Sequence, residues 1–328
     1  MEISSLVVFL GGLVVIVVGA EFLLRGASYL AALLGIKPMI IGLTVVSLGT
    51  SAPELAVGIT AVSQGSPEIA VGNIAGTNLV NLLLILGLSA AIRPLPLQIN
   101  SIRLDVPVMI FSAVLIIFMA LNGELSRIEG GILFGFAIIY TIILIKQSKK
   151  ESWQLHREYS EEYSSSVLVK DKKKTGIVLL NILFLIGGIA MAIIGSDLLV
   201  AGASQIARSL GVSEAVIALT IVAIGTSAPE LVTTMVATFK NDRDVAIGNL
   251  IGSSIYNILI ILGVTAMVSK SGIAVSRQLL LIDLPLAALV AIACYPVFKT
   301  SKMVTRKEGI VFVCCYILYI ITLLFLRT

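Results

Sequence analysis

The sequence predicts an all-α membrane protein of ten transmembrane helices, arranged as two inverted five-helix repeats. Three observations carry that prediction. The 328 residues are 58% hydrophobic and only 13% charged, with a mean hydropathy of +1.06, whereas soluble domains carry about a quarter charged residues. Apolar stretches of about 20 residues, the length that crosses a bilayer as a helix, recur along almost the whole chain. A run of residues in the first half returns in the second, 176 positions later and without a gap.

Taken in order, spans are expected over 4–24, 38–62, 67–91, 104–121, 128–146, 176–206, 214–238, 243–268, 279–298 and 308–326. None has the short alternating pattern of a membrane barrel. The first has no basic residue before it and no small-residue cleavage site behind a short apolar core, so it reads as a retained helix. Five spans precede and five follow the polar stretch 147–175, giving a first repeat over 1–146, a linker, and a second repeat over 176–328. The linker mixes lysines with glutamates and holds Trp153 and the single histidine, His156. It reads as a solvated loop, too short for a domain of about 50 residues or more. Cys294, Cys314 and Cys315 lie in apolar spans and read as packing residues, not a disulfide framework.

Lysine and arginine set the orientation. With the N-terminus outside, 18 of the 23 basic residues fall on the inner side and 5 on the outer. Both termini are therefore expected outside and the linker in the cytoplasm of a multi-pass cell-membrane protein.

The repeat lies in two motif regions, 42–81 and 218–257. Thr44-Val45-Val46-Ser47-Leu48-Gly49-Thr50-Ser51-Ala52-Pro53-Glu54 returns as Thr220-Ile221-Val222-Ala223-Ile224-Gly225-Thr226-Ser227-Ala228-Pro229-Glu230. Gly72-Asn73 with Asn81 returns as Gly248-Asn249 with Asn257. From Ile41 to Glu54, ten of fourteen positions are identical to their counterparts. The likeness reaches Gly19-Ala20-Glu21 and Gly195-Ser196-Asp197. Two similar halves with an odd number of spans must enter the membrane in opposite directions, an arrangement typical of secondary transporters.

Glu54 and Glu230 sit deep in apolar spans, where a lone carboxylate is costly and faces a partner or a cavity. No arginine or lysine lies centrally in spans 2, 3, 7 or 8 to pair with them. Thr50 and Glu54 are four apart and share a helix face, as do Ser47 and Ser51, Thr226 and Glu230, Thr77 and Asn81, and Ser253 and Asn257. Ser227 stands beside Thr226, and Ala223 replaces Ser47. Pro53 lacks an N–H and follows Gly49 closely, so the helix should kink and free carbonyls, tolerated at this depth only where they line a cavity. The pairs Gly72/Gly76 and Gly248/Gly252 are expected to let spans 3 and 8 approach spans 2 and 7. The site is oxygen-only, which suits Ca²⁺ or Na⁺ and not zinc or copper. Two carboxylates are balanced by one Ca²⁺, by two monovalent ions or by two protons, the natural basis of an exchanger.

The doubled Gly-Thr-Ser-Ala-Pro-Glu, with Gly-Asn and a later Asn, resembles the α-repeats of the sodium/calcium exchanger family, within the cation/calcium exchanger superfamily. The resemblance covers nearly the whole chain. It implies a ten-helix inverted-repeat fold with spans 2, 3, 7 and 8 around the ions, and long first and sixth helices that slide to open either side. It implies Glu54 and Glu230 as central Ca²⁺ and Na⁺ ligands and carbonyls of Thr50 and Thr226 on Ca²⁺. Ser51, Ser227, Thr77 and Ser253 would complete Na⁺ sites, the carbonyls of Ser47 and Ala223 would stand near the ends, and Asn81 and Asn257 would flank the middle. Several family members carry aspartate where Asn257 stands, so this chain has one carboxylate fewer. Calcium/proton exchangers share the fold and are the alternative reading.

Ca²⁺ and Na⁺ are thus the expected substrates. No cofactor, nucleic-acid partner or calcium-sensing domain is expected, and a monomer should suffice. An enzyme is not expected: the lone histidine is in the linker, away from Ser51 and Ser227, and no phosphate-binding GxxxxGK[ST] run occurs. A passive cation channel is disfavoured by the inverted repeat. Glu21, with Arg25 four residues on, and Asp197 read as helix-end residues or as groups at the mouth of an ion passage.

Overall fold

The structure is a computed structural model that describes residues 3–34, 36–162, 175–211, 221 and 223–327. Its helices are α1 (Ile3–Leu34), α2 (Met39–Thr50), α3 (Ala52–Ser63), α4 (Glu68–Ile92), α5 (Ile99–Asn122), α6 (Arg127–Glu162), α7 (Thr175–Ser209), α8 (Ala223–Thr226), α9 (Ala228–Phe239), α10 (Arg243–Val268), α11 (Leu279–Ser301) and α12 (Arg306–Arg327). Helical residues fall in every predicted span, although 212–220, the start of the seventh, lies outside the described residues. Among the described residues seven helices are long and apolar enough to cross a membrane, or eight when the bent pair α2–α3 counts as one.

Two helices outrun the hydropathy pattern. α1 continues to Leu34, and α6 runs through the predicted boundary at 146 to Glu162, so the first part of the expected loop is helix. The cause is local. From Gln147 to Glu162 there is no glycine or proline, and Lys, Glu, Gln and Arg all sustain a helix in water.

The apolar core lies between α4, α5, α10 and α11, where Leu79, Ile85, Met109, Ile255 and Tyr256 are fully buried. α1 and α7 pack lengthwise on each other at the periphery. Their outer faces, with Val7, Val14, Leu179 and Leu183, are exposed apolar surface suited to lipid.

Contacts between the halves are reciprocal. A Cβ on Gly12 would lie 2.8 Å from the Gly195 carbonyl oxygen, and one on Gly195 would lie 2.9 Å from that of Gly12. Gly19 and Gly188 stand in the same relation, at 2.9 and 2.6 Å. Gly188 and Gly195 are the counterparts of Gly12 and Gly19 at the 176-residue offset, so each glycine meets the counterpart of the other. Only glycine allows such close backbone approach. Four short strands repeat the pattern. β1 (Leu95–Pro96) pairs antiparallel with β4 (Met303–Val304), and β2 (Glu124–Leu125) with β3 (Ile273–Ala274).

The expectation for Gly72/Gly76 and Gly248/Gly252 is corrected. Cβ atoms on Gly248 and Gly252 would strike the backbone of Met39 and Leu43, so the glycine face of α10 closes on α2 of the other half, while α10 also packs beside α9 of its own half. Gly76 has nothing within 4 Å among the described residues. The residues that the offset would place there, 215–219, lie outside them.

Candidate functional site

The helix of the second span breaks at Ser51, and α2 and α3 diverge by 41°. Pro53 explains the break: it cannot donate to the Gly49 carbonyl, and its ring disfavours continuation of the preceding turn. It is comfortable in the first turn of α3, where an N–H would have no intrahelical partner. Ser51 (φ −83°, ψ 10°) and Ser227 (φ −88°, ψ 8°) leave the helical region in the same way. Glu54 and Glu230 thereby become first-turn residues of α3 and α9, at the end where a helix favours negative charge. Opposite them, α4 and α10 each contain a π-helical segment, Val80–Ile85 and Asn257–Leu262. Asn81 and Asn257 stand in these widened turns, a distortion frequent at functional sites.

The two halves interlock here. Ser51 Oγ donates to Glu230 Oε1 at 3.0 Å and lies 3.4 Å from Ser253 Oγ. Thr50 Oγ1 is 3.2 Å from Asn249 Oδ1, and Asn249 Nδ2 donates to Thr234 Oγ1 at 3.1 Å. Asn78 Nδ2 donates to the Ser254 carbonyl at 3.3 Å, across 176 positions. Glu54 and Glu230 are near enough to interact electrostatically, and Thr77 stands beside Glu54 without meeting hydrogen-bond geometry.

Glu54, Glu230, Thr50, Ser51, Ser227, Thr77, Ser253, Asn81 and Asn257 are all at most 2% exposed. Most of their polar atoms have no hydrogen-bond partner among the described residues. These are both carboxylate oxygens of Glu54, Oε2 of Glu230, the hydroxyls of Thr77 and Ser227, and both amide atoms of Asn81 and Asn257. Asn78 Oδ1 and Thr233 Oγ1 share that condition. Each such atom costs about 1–3 kcal/mol when left without a hydrogen bond. Oxygens gathered from both halves at this cost are what a hard cation recovers by coordination. No group of three or more His, Cys, Asp or Glu side chains meets among the described residues.

Three predicted residues stand differently. Ser47 is buried, but its hydroxyl bonds back to the Leu43 carbonyl at 2.7 Å. The Ala223 side chain lies outside the described residues. Thr226 is half-buried and lines a cleft of about 390 Å³ with Pro53, Ser196 and Asp197. Glu21 pairs with Lys240, not with Arg25, whose guanidinium lies 5.0 Å from the centre of the Phe184 ring. Asn78, Asn249, Thr233 and Thr234 were not among the expected site residues. Asn249 was within reach, being the partner of Asn73 in the doubled Gly-Asn. Thr233 and Thr234 face Val57 and Gly58 in the repeat and so gave no doubled signal.

A family model described as sodium/calcium exchanger protein matches residues 4–146 and 180–325. The sodium/calcium exchanger MaX1 of Methanosarcina acetivorans is 31% identical over 348 aligned positions, covering 98% of this chain and 99% of the relative. The inner membrane protein YrbG of Escherichia coli is 36% identical over 264, covering 80% and 79%. Among solved structures, the sodium-calcium exchanger NCX_Mj soaked with 2.5 mM Na⁺ and 0.1 mM Ca²⁺ superposes with a TM-score of 0.82 at 28% identity, over 98% of this chain and 99% of that one.

Proposed function

The chain belongs to the sodium/calcium exchanger family, and from that premise we propose that it exchanges Na⁺ for Ca²⁺ across the membrane by alternating access. The observation that carries the proposal is the buried cluster around Glu54 and Glu230, contributed by both halves and rich in oxygens without protein partners. Glu54 and Glu230 hold the ions, with oxygens of Thr50, Ser51, Thr77, Asn81, Thr226, Ser227, Ser253 and Asn257 completing the shell and carbonyls of Ser47 and Ala223 towards its ends. One Ca²⁺ neutralises the two carboxylates, and so do monovalent ions. The same oxygens cannot serve both at once, so occupancy is mutually exclusive, and exclusive occupancy couples the two fluxes.

The reading includes ten spans in two inverted repeats, 1–146 and 176–328. The reciprocal glycine contacts of α1 and α7 and the crossed strand pairs support it, because each contact recurs with the halves exchanged. Access follows from the cleft beside Thr226. Carried over by 176 positions, its lining becomes Ala20, Glu21, Leu24, Thr50, Pro229 and Thr233 among others. Ala20, Leu24, Thr50 and Thr233 are at most 3% exposed, so one side stands open where its counterpart is packed.

The test is Ca²⁺ uptake into vesicles holding the purified protein, with Na⁺ trapped inside. Uptake should require internal Na⁺, fail with choline or K⁺, and vanish in Glu54→Gln. Uptake driven by a pH gradient alone, without Na⁺, would replace sodium coupling by proton coupling. Full exchange by both Glu54→Gln and Glu230→Gln would sink the site.

A further inference from the structure

A second cleft, of about 360 Å³, lies where the start of α5 meets the end of α11, far in sequence from the buried carboxylates. Ile99, Ile102, Arg103, Tyr295, Lys299 and Lys302 line it. The lining holds three cations and no acid. Among the described residues none of the three cations meets a carboxylate at ion-pair distance, and the Lys299 ammonium lies 5.6 Å from the centre of the Tyr295 ring. The β1–β4 pair builds the spot, since the Leu97 N–H donates to the Lys302 carbonyl at 2.8 Å.

Lys302 closes α11 in the left-handed conformation, at φ 52°. A side chain is strained there, and glycine is the usual occupant. The opposite end of the molecule shows the unstrained solution. β2 and β3 form the matching ladder, and Gly123, directly before β2 as Lys302 is before β4, holds φ 83°. Carried over on the ladder register, Leu281 and Ala120 stand where Arg103 and Lys299 are. The positions of the three cations are thus neutral at the other end, where Arg277 stands instead in the place of Ile99. A residue kept against its backbone preference points to a role for its side chain.

We propose that Arg103, Lys299 and Lys302 bind the phosphate of an anionic membrane lipid. The apolar surroundings select a lipid over a free anion. Leu289, Ile292 and Lys299 follow one another at helical spacing on α11, and Leu289 and Ile292 are 62% and 49% exposed. They form an apolar track for an acyl chain that ends at the ammonium. Ile99, 46% exposed, covers the other flank. The proposal places this end of the molecule at a membrane interface and is independent of which ions are exchanged. Basic pockets between membrane helices hold anionic headgroups in this way.

The test is native mass spectrometry of the full chain taken from vesicles of equal phosphatidylglycerol and phosphatidylcholine, paired with thermal unfolding in detergent with phosphatidylglycerol added. The wild type should retain phosphatidylglycerol preferentially and unfold at a higher temperature when it is added. Each charge removed should weaken retention about fivefold. The variant carrying Arg103→Gln, Lys299→Gln and Lys302→Gly should lose both effects. Lys302→Gly alone relieves the left-handed backbone, so it should fold and still show its fivefold loss. Unchanged retention by the triple variant overturns the proposal. So does an equal thermal shift from inorganic phosphate, which would make this a free-anion site.

Discussion

At the scale of the residue, Glu54 is the sharpest case, because a carboxylate 1% exposed has neither oxygen hydrogen-bonded among the described residues. Replacing it by glutamine removes a buried charge that repels Glu230 and keeps the shape. Glu54→Gln should therefore abolish Ca²⁺ exchange, by at least 100-fold, while the protein without Ca²⁺ melts no lower than the wild type. The rise in melting temperature that Ca²⁺ gives by binding only the folded state should disappear with it. Calorimetry with and without Ca²⁺ reads both. Two serines one turn apart give a finer contrast. Ser51 bonds Glu230 of the other half, whereas the Ser47 hydroxyl bonds only its own helix and has alanine as its counterpart. Ser51→Ala should weaken Ca²⁺ binding about tenfold to 100-fold, the value of a hydrogen bond to a charged group, and Ser47→Ala should leave it nearly unchanged. Equal losses in isothermal titration would place the Ser47 side chain at the ions too. The acid and its hydroxyl neighbours were legible because the repeat states them twice. Thr233 and Thr234 were not, because Val57 and Gly58 occupy their counterparts and a lone hydroxyl in an apolar helix is ordinary.

At the scale of the element, hydropathy sees lipid contact and not hydrogen bonding. It therefore located helical stretches but stopped α1 ten residues short and α6 at its apolar end. The break at Pro53 was legible from the missing N–H. The π-helical segments at Asn81 and Asn257 were not, since nothing local distinguishes an i→i+5 turn from an α-turn in an apolar run. The partner of Gly248 and Gly252 was hidden for another reason: helical spacing reveals a small-residue face but not which helix covers it. That face yields a prediction. A methyl on Gly252 would lie 2.8 Å from the Leu43 Cα and carbonyl carbon, backbone atoms that cannot swing aside. Gly252→Ala should push α10 off α2 and lower the melting temperature by several degrees, the effect of overpacking worth about 1–3 kcal/mol. Gly135→Ala meets nothing within 4 Å among the described residues around α6, so its melting temperature should hold or rise. If the two alanines melt alike, the close approach does not support the fold.

At the scale of the whole molecule, near-symmetry makes each departure informative. Under the proposed alternating access, exchanging the halves converts the open cleft of Pro53, Ala56, Val57 and Asp197 into a face packed at Pro229 and Thr233 and rimmed by Val232 and Glu21. The two faces differ in charge as well. Glu21 on α1 pairs with Lys240 in the turn after α9, while the counterparts are Asp197, exposed in the cleft, and the neutral Gln64. Ser28 on α1 also donates to Asp242 in that turn at 3.1 Å, and the counterpart of Asp242 is Ser66. The ties between the first helix and that turn thus hold one face shut and have no charged equivalent on the other. Because Glu21 and Lys240 are each nearly half exposed, their pair contributes about 0.2–1 kcal/mol, enough to tilt a two-state balance about fivefold at most. Cysteine labelling in sealed vesicles reads the tilt, after Cys294, Cys314 and Cys315 are replaced. Ala56→Cys should react with an impermeant maleimide from the outer side, and Thr233→Cys should react slowly from either side. Adding Lys240→Gln to Thr233→Cys should raise its labelling from the inner side severalfold and slow that of Ala56→Cys. The opposed changes are decisive, because loosened packing alone would raise both rates together, and that result would reduce the ion pair to a surface contact.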